Sequence, residues 1–285
     1  MTNCTIDTVE LTPTLKQAWL KIIGNSCLSR INTHQVLALK SALQIDELEL
    51  AQQLLPMASS FAITPISGFQ VGAILIDAKG QMFMGANYEM RQLSLSVTLH
   101  AEQAAFFNAL NHDCAPLTQL VVNAAPCGHC RQFIREYPNC FNLNIFFNGQ
   151  NYTFEQLLPH SFGPDDLNVG VSLNAQNEAF RDIQELANKS YSPYSGCKIG
   201  LIAYQGEVAI ANSWYIENAA FNPSASPLSL LLSQVALSDY SFENVTAIQL
   251  WMNQSTINFK KEIDNFLSLH PQIHLIETSH STDPR

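Results

Sequence analysis

The spacing of apolar residues changes along the chain, and it predicts helices first and paired strands afterwards. Thr12 and Pro13 fit a helix cap followed by a first-turn proline. From Ser67 onward two short apolar segments, FQVGAILID and QMFMGAN, flank the turn-forming pair Lys79 and Gly80. We therefore predict an N-terminal helical segment at residues 1–47, followed by a β-hairpin. The helical prediction rests on apolar residues that recur at about helical spacing, at Val36, Leu37, Leu39, Leu43, Leu48, Leu50, Leu54 and Leu55.

Helices and strands are predicted to alternate after the hairpin. The pattern predicts helices at HAEQAAFFNAL and CRQFIREY and strands at LTQLVVNAA and LNIFF. This alternation is typical of an α/β sheet packed between helices, and we assign it to a domain at residues 48–160. The segment PHSFGPDDLNVG has two prolines and two glycines, which favours a linker at residues 161–173 and a second domain at 174–285.

The second domain partly repeats the first. A shift of 128 positions places PISGFQVGAIL over PYSGCKIGLIA, with six identities at that offset once Glu89 and Glu217 are included. Matches at one fixed offset favour duplication over chance. The same shift carries His100 onto Leu228 and Glu102 onto Leu230, and no cysteine follows Cys197. The second half is therefore predicted to share the fold and to lack the polar site.

Composition narrows the kinds of ligand. The 285 residues include 14 Lys and Arg against 24 Asp and Glu, a formal net charge of −10, which argues against a general electrostatic grip on nucleic acid or on an anionic membrane. A small neutral ligand fits better. No apolar run approaches the length of about 20 residues that crosses a bilayer.

Cysteine usage predicts a reducing compartment. Seven cysteines, an odd number, do not resemble a disulfide framework, and the start MTNCTIDTVE lacks the basic and apolar regions of a signal peptide. The expected location is the cytoplasm, where free thiolates remain available as ligands.

The pair Cys127 and Cys130 could serve three chemistries: a redox dithiol, half of a structural zinc site, or two ligands of a catalytic metal. The redox interpretation leaves the residues around His100 unexplained. A structural zinc site needs a fourth ligand, and the available candidates are isolated. Those candidates are Cys114, Cys140, His112 and His129. A catalytic zinc needs three protein ligands and an open position, which His100, Cys127 and Cys130 supply.

Glu102 would then stand beside the metal as a proton carrier. Residues i and i+2 point about 200° apart on a helix, so this requires His100 to lie at or just before the first turn. His129 is expected to point away from the metal, and the other histidines (His160, His270, His274 and His280) have no partners at ligand spacing.

The order His100, Ala101, Glu102 followed by PCGHC at 126–130 matches the zinc deaminase signature. Together with FQVGA, the triplet NYE at 87–89, the linker FGPDDL and the second-half run ENAAFNP, it makes the chain resemble the dimeric, two-domain bacterial cytidine deaminases over nearly its full length. The resemblance implies two similar three-layer α/β/α domains, the second one degenerate, behind an N-terminal helical segment.

The resemblance also implies roles. One zinc ion per subunit is expected on His100, Cys127 and Cys130, with Glu102 moving protons in the hydrolysis of cytidine and 2′-deoxycytidine to uridine and 2′-deoxyuridine with release of ammonia, a step of pyrimidine salvage. The remaining substrate contacts are expected from Phe69 (pyrimidine), Asn87 and Glu89 (ribose hydroxyl), the bulky neighbour Tyr88 (sugar preference), and the backbones of Ala101 and Ala125 (base edge).

The second half has two interpretations: an inactive copy with only a structural role, or a domain that helps to form the active site. The resemblance favours the latter in part and implies a homodimer in which one subunit closes the pocket of the other, through Phe162, Ala219, Ala220 and Phe221. By pattern alone, Phe69 is a core strand residue. By pattern alone, Glu89 could be a solvated carboxylate, but its counterpart Glu217 in the second half favours a partly structural role for this position.

Overall fold

The computed structural model describes residues 4–175 and 179–278, so His280 and the end of the predicted second domain lie outside the described residues. The α-helices are α1 Pro13–Ile22, α2 Thr33–Leu43, α3 Glu47–Ser60, α4 Ala101–Leu110, α5 Gly128–Ile134, α6 Phe154–Leu157, α7 Ile183–Asn188, α8 Pro227–Ala236 and α9 Lys260–Leu269. The strands are β1 Arg30–Ile31, β2 Gly72–Asp77, β3 Met82–Ala86, β4 Leu117–Val122, β5 Asn144–Phe147, β6 Gln150–Thr153, β7 Ile199–Gln205, β8 Val208–Trp214, β9 Ala247–Met252 and β10 His274–Glu277.

The N-terminal helices begin where short polar side chains cap them. The Thr12 hydroxyl accepts a hydrogen bond from the Leu15 N–H, and Pro13 opens α1 as predicted. Strand β1 pairs antiparallel with β3, so the N-terminal segment shares the sheet of the following domain. The predicted boundary between residues 47 and 48 falls in the first turn of α3, which begins at Glu47.

The first sheet has the order β1-β3-β2-β4-β5-β6 and lies between two layers of helices. The predicted hairpin is confirmed, because β2 and β3 pair antiparallel. Gly72 and Gly85 point to opposite faces, and each allows a close helix contact: a Cβ at Gly72 would lie 2.4 Å from the Ser59 nitrogen of α3, and one at Gly85 would lie 2.1 Å from the Ala105 nitrogen of α4. The three-layer α/β/α arrangement follows from these two contacts.

The second half repeats this frame with the sheet order β10-β9-β7-β8. Isolated bridges recur at equivalent places: Ile63 with Tyr88 and Tyr191 with Ile216, then Tyr88 with Leu99 and Ile216 with Ala225. The duplication predicted from the sequence is therefore confirmed.

The repeat changes register before the helix that carries His100. The segment between the bridged residues Ile216 and Ala225 is two residues shorter than its counterpart, so Ser226, the N-cap of α8, occupies the place of His100. The sequence shift that placed Leu228 over His100 was wrong by these two residues, and Leu228 is instead the counterpart of Glu102. The prediction that the second half does not rebuild the polar site holds in either register.

One disulfide departs from the expectation of unpaired cysteines. Cys4 and Cys27 are bonded, with their Cα atoms 5.5 Å apart, because an antiparallel bridge between Thr5 and Ser26 brings the two short segments together. The other five cysteines of the described chain are free thiols. Within the described residues, none of the helices has the length and apolar character needed to span a bilayer.

Candidate metal centre and the adjoining cavity

The two helices α4 and α5 present the three candidate ligands at their N-terminal ends. His100 is the N-cap of α4, in extended backbone (φ −88°, ψ 155°), and Cys127 is the N-cap of α5. Cys130 lies in the first turn of α5. The His100 N–H donates to Gln103 Oε1 (3.2 Å), which fixes the start of α4. The position required of His100 for Glu102 to stand beside the metal is confirmed.

The donor atoms match a tetrahedral zinc site. His100 Nδ1 lies 3.5 Å from Cys127 Sγ and 3.3 Å from Cys130 Sγ, and the two sulfurs are 3.7 Å apart. Zn–S bonds of about 2.3 Å and Zn–N bonds of about 2.0 Å at tetrahedral angles place the two sulfurs about 3.8 Å apart, and sulfur and nitrogen about 3.5 Å apart. Among the described residues, these three form the group of His, Cys, Asp and Glu side chains that could hold a metal ion.

The electrostatics of the site favour a cation. The contact with Cys130 is the main cause that lowers the pKa of Cys127 to about 3, and the hydrogen bond with His100 adds to it. The same sulfur–sulfur contact raises the pKa of Cys130. Both thiols stand at the N-terminus of α5, whose partial positive charge stabilises thiolates. A divalent cation would take the place of the proton that the two sulfurs share.

Glu102 lies directly beside this group. Its side chain is 4% exposed and interacts with Cys130, and burial raises the pKa of its carboxyl group above the ordinary value. A carboxyl with a raised pKa can both accept and return a proton near neutral pH. The arrangement places a carboxyl group that can exchange protons beside the candidate ligands.

A cavity of about 280 Å³ opens onto the metal position. This volume lies near the lower end of the range for small-molecule sites. The side chains and backbone that line it belong to Ser67, Phe69, Val71, Asn87, Glu89, Thr98, His100, Ala101, Glu102, Ala124, Ala125 and Cys127.

Phe69 and Asn87 form one wall of the cavity. Phe69 is 61% exposed, so its ring is not in the core, where its pattern alone had placed it. The Asn87 Oδ1 accepts from the Val71 N–H, and its Nδ2 donates to the Phe69 carbonyl, each at 2.9 Å. Asn87 therefore fixes the backbone that carries the Phe69 ring.

Glu89 braces the loop before this wall. Its carboxylate accepts from the N–H groups of Ile66 and Ser67 and from the Ser67 hydroxyl. Desolvation by itself would raise the pKa of Glu89, but these hydrogen bonds outweigh it and hold the pKa below the usual value. Glu217 makes the equivalent three contacts to Tyr194 and Ser195 in the second half. The structural role predicted from this counterpart is confirmed.

Two sets of predicted substrate residues lie elsewhere. Tyr88 does not line the cavity: its side chain packs in the core between the two halves, because neighbouring residues on an extended strand point to opposite sides. Phe162 and residues 219–221 lie outside the cavity of their own chain. They contact Gln132 of α5 and Glu136, which follows this helix. The Phe162 carbonyl accepts from Gln132 Nε2, and the Ala219 N–H donates to Glu136.

His129 lies outside the group of candidate ligands, as expected, but its contact with His100 was not predicted. Its ring stacks on that of His100, with centroids 4.9 Å apart and planes 23° apart. The sequence carries no signal for this contact, because it depends on how α4 and α5 meet. Gln103 was also missed, although a Gln three residues after an N-cap is a recognisable capping pattern.

A hydrogen bond stands in the second half where the first half has its ligands. Ser226 and Phe259 are the N-caps of α8 and α9, equivalent to His100 and Cys127. Three residues into α9, at the place of Cys130, Glu262 accepts a hydrogen bond from the Ser226 hydroxyl. The same two helix ends are thus joined by a direct side-chain contact instead of metal ligands.

Comparisons with known proteins agree with this geometry. Family models described as the cytidine and deoxycytidylate deaminase zinc-binding region match residues 46–139 and 154–262. The chain is 36% identical over 247 residues to a cytidine deaminase of Actinobacillus pleuropneumoniae serotype 5b, covering 83% of this chain and 82% of that protein. It is 33% identical over 261 residues to a cytidine deaminase of Shewanella amazonensis, covering 87% and 88%.

A solved structure of cytidine deaminase from Mycobacterium tuberculosis is 28% identical and covers 40% of this chain and 96% of its own, with a TM-score of 0.37. The identity to the curated relatives extends over both halves of the chain, and the zinc-binding match includes all three ligand positions. The chain therefore belongs to the cytidine and deoxycytidylate deaminase family, as a zinc-dependent hydrolytic deaminase.

Proposed function

We propose that this protein hydrolyses cytidine and 2′-deoxycytidine to uridine and 2′-deoxyuridine, with release of ammonia, in pyrimidine salvage. The observation that carries the proposal is one cavity of about 280 Å³ that joins the His100, Cys127 and Cys130 group, the buried Glu102, and polar groups on the opposite wall. The similar proteins of two bacteria, both named cytidine deaminase, support it.

The chemistry is divided between the metal and Glu102. His100, Cys127 and Cys130 would hold the zinc ion, and the chemistry it would supply there is the activation of water as a nucleophile near neutral pH. Glu102 would accept a proton from the attacking water as C4 of the base is attacked, and would return protons to N3 and to the leaving amino group. Burial of Glu102 keeps bulk water from competing for these transfers.

The opposite wall has free hydrogen-bonding capacity for a ribose. Asn87 uses one N–H and one lone pair within the protein, which leaves one further N–H for a ligand. An ionised carboxylate has about four acceptor sites, and Glu89 uses three of them, so one remains for a ribose hydroxyl. The exposed Phe69 ring would stack on the pyrimidine, and the backbones of Ala101 and Ala125 would contact the base edge.

The substrate is a nucleoside and not a nucleotide. None of the described residues that line the cavity is Lys or Arg, so a 5′-phosphate would enter without a cationic partner. We expect dCMP to be turned over far more slowly than 2′-deoxycytidine.

The working form is a homodimer in the cytoplasm, and Cys127 and Cys130 are free thiols that remain available to the metal. Phe162 and Phe221 are 44% and 66% exposed, although both are large and apolar. In the dimer these rings, with Ala219 and Ala220, would close the cavity of the other subunit.

An ultraviolet assay with cytidine, 2′-deoxycytidine and dCMP on the zinc-loaded protein tests the substrate assignment. Rapid loss of both nucleosides and slow loss of dCMP is the expected result. Equal turnover of dCMP would reject the nucleoside assignment, and no turnover of any of the three by folded, zinc-loaded protein would point to a different aminated substrate.

Mixed dimers test the contact between subunits. In a dimer of one Glu102→Ala chain and one Phe221→Ala chain, carrying different tags, one cavity has its own Glu102 and receives Phe221 from the other subunit. We expect this mixed dimer to recover one working site of two, while each variant homodimer stays weak. Phe162→Ala in place of Phe221→Ala should behave alike. No recovery would place these rings in the site of their own chain or outside any site.

A further inference from the structure

A loop of the metal-free second half contacts both helices that carry the ligands. The loop comprises residues 217–224. On the side of α4, the Gln103 side chain is buried and has two functions: its Oε1 accepts from the His100 N–H, and its Nε2 donates to the Pro223 carbonyl (3.0 Å). The residue that starts α4 at His100 is thus tied directly to the second half.

On the side of α5, the same loop is held by Asn218, which is 0% exposed. Its Nδ2 donates to the Gln132 carbonyl (2.9 Å), and its Oδ1 accepts from Gln132 Nε2 (3.4 Å) and from the Ala220 N–H (3.0 Å). The Ala219 N–H donates to Glu136 one turn further along the chain (2.8 Å). Residues 218–223 therefore bridge α4 and α5 by side chains and backbone together.

The loop is itself fixed to the second half, because the Glu217 N–H donates to the Tyr191 carbonyl (2.8 Å) and the Glu217 carboxylate accepts from the N–H groups of Tyr194 and Ser195. The first-half residue that the loop contacts after α5 is held by the second half as well. Glu136, a buried carboxylate, also accepts from the hydroxyls of Tyr191 (2.7 Å) and Tyr194 (2.6 Å). A buried carboxylate with several donors is well defined in position, since losing a partner is costly. The bridge thus rests on the frame of the second half and not on a free loop.

The reciprocal contact is built only in part: the Ser229 hydroxyl of α8 donates to the Val97 carbonyl (2.6 Å), in the place of the contact between Gln103 and Pro223. At the fixed offset of 128, the counterparts of Tyr191 and Tyr194 in the first half are Ile63 and Ile66, which have no hydroxyl to donate. The polar contacts therefore run in both directions, and what distinguishes the second half is the pair of tyrosine hydroxyls that bind Glu136.

We propose that residues 218–223 are a brace that holds the N-termini of α4 and α5 at the spacing zinc requires, so that the degenerate half retains the metal of the catalytic half in the same chain. The three ligands come from two helices, and a zinc site tolerates only about 0.2 Å of change in its bond lengths. Residues that orient ligands from outside typically account for about 10–100-fold in metal affinity. Gln103, Asn218 and Glu136 are positioning residues in this sense.

The rate of zinc loss to a chelator that changes colour on binding tests the brace without any substrate. The measurement uses full-length, zinc-loaded protein, so its outcome does not depend on which nucleoside is hydrolysed. We expect Asn218→Ala to release zinc at least about 10-fold faster than the wild type. Asn253→Ala is the matched control, because Asn253 also bonds two backbone groups, the Lys198 N–H and the Gly196 carbonyl, entirely within the second half. It should release zinc at the wild-type rate.

Gln103→Glu separates the brace from helix capping. A glutamate at this position still accepts from the His100 N–H and suits the first turn of a helix, but it cannot donate to the Pro223 carbonyl. Faster zinc release in this variant is expected despite the added negative charge, and this variant decides the matter if Asn218→Ala does not fold. Wild-type release rates in Gln103→Glu and Asn218→Ala, or equal acceleration in Asn253→Ala, would overturn the proposal.

Discussion

Glu89 and Glu217 make the same set of hydrogen bonds at equivalent places in the two halves. Comparing them distinguishes the structural role of this position from its contribution to the site. Each glutamate binds two backbone N–H groups and one serine hydroxyl. Only Glu89 also faces the cavity. A residue that lines a site can therefore belong to the frame first and serve a ligand with its remaining lone pair.

Paired substitutions test this division. Glu89→Gln and Glu217→Gln should each destabilise the fold near neutral pH by about 1–3 kcal/mol, because each weakens charge-assisted hydrogen bonds. Only Glu89→Gln should also raise KM. Urea unfolding and steady-state kinetics measure the two effects, and an equal rise of KM in Glu217→Gln would contradict the assignment.

The loss of unfolding free energy caused by Glu89→Gln should depend on pH. Its folded pKa lies below the usual 4.5, so its contribution to stability is fully present above that value and is lost as the pH falls through the folded pKa. Unfolding free energies of wild type and Glu89→Gln should therefore converge in acid, as the pH falls through the lowered pKa of Glu89. A difference that stays constant into acid would show that the charge is not involved.

Substitutions at Glu102 and at Cys127 should distinguish a loss of catalysis from a loss of metal binding. Glu102→Ala should keep zinc and fold while losing turnover by about 10³-fold, in the range of a lost acid–base group. Cys127→Ala should lose the metal as well as the activity. Metal content and the ultraviolet assay on both variants check this, and an active Glu102→Ala protein would remove Glu102 from the reaction.

At the scale of elements, the placement of α4 depends on one small residue of the sheet. Gly85 in β3 lets the helix approach so closely that a Cβ there would lie 2.1 Å from the Ala105 nitrogen and 2.4 Å from the Ala101 oxygen. Both atoms belong to helix backbone, which cannot move aside alone. The position of α4 against the sheet in turn determines the positions of His100 and Glu102.

Gly85→Ala should therefore move α4 as a body and weaken the site. We expect a destabilisation of about 1–3 kcal/mol, as for other overpacked contacts, together with faster loss of zinc. Gly170→Ala is the control, because nothing lies within 4 Å of a Cβ at that position. Thermal unfolding and zinc release measure both, and a Gly85→Ala protein as stable as Gly170→Ala would contradict this packing.

At the scale of the whole molecule, the two halves share one arrangement of sheet and helices. Each half connects its two equivalent helix N-termini in a different way. The first half joins α4 and α5 through metal ligands, and the second joins α8 and α9 through the hydrogen bond from Ser226 to Glu262. The second half should therefore keep its structure when zinc is absent, while the first half loses a cross-link.

Zinc removal should lower the melting temperature of the protein by about 10 °C, since a ligand at 1,000 times its Kd stabilises by about 4 kcal/mol. Calorimetry before and after chelation measures this change, and added zinc should restore the original value. An unchanged melting temperature would mean that zinc does not contribute to the fold.

Local pattern by itself predicted the alternation of helices and strands in the first half and the duplication, and it favoured His100, Cys127 and Cys130 as the ligands of a catalytic metal. Strands β1 and β6 were not predicted. Periodicity, caps and close motif spacing are local properties, so they can be read without knowing the fold. The spacing of His100 and Glu102 only set a condition, that His100 lie at or just before the first turn, and its position as the N-cap of α4 meets that condition.

Only the tertiary structure decided how distant segments meet. It placed Tyr88 in the core, stacked His129 on His100, paired Cys4 with Cys27, and showed that the second half touches both ligand helices through residues 218–223. Each of these depends on the docking of elements far apart in the chain. Such contacts are set by packing geometry, on which residue order and spacing place no direct constraint.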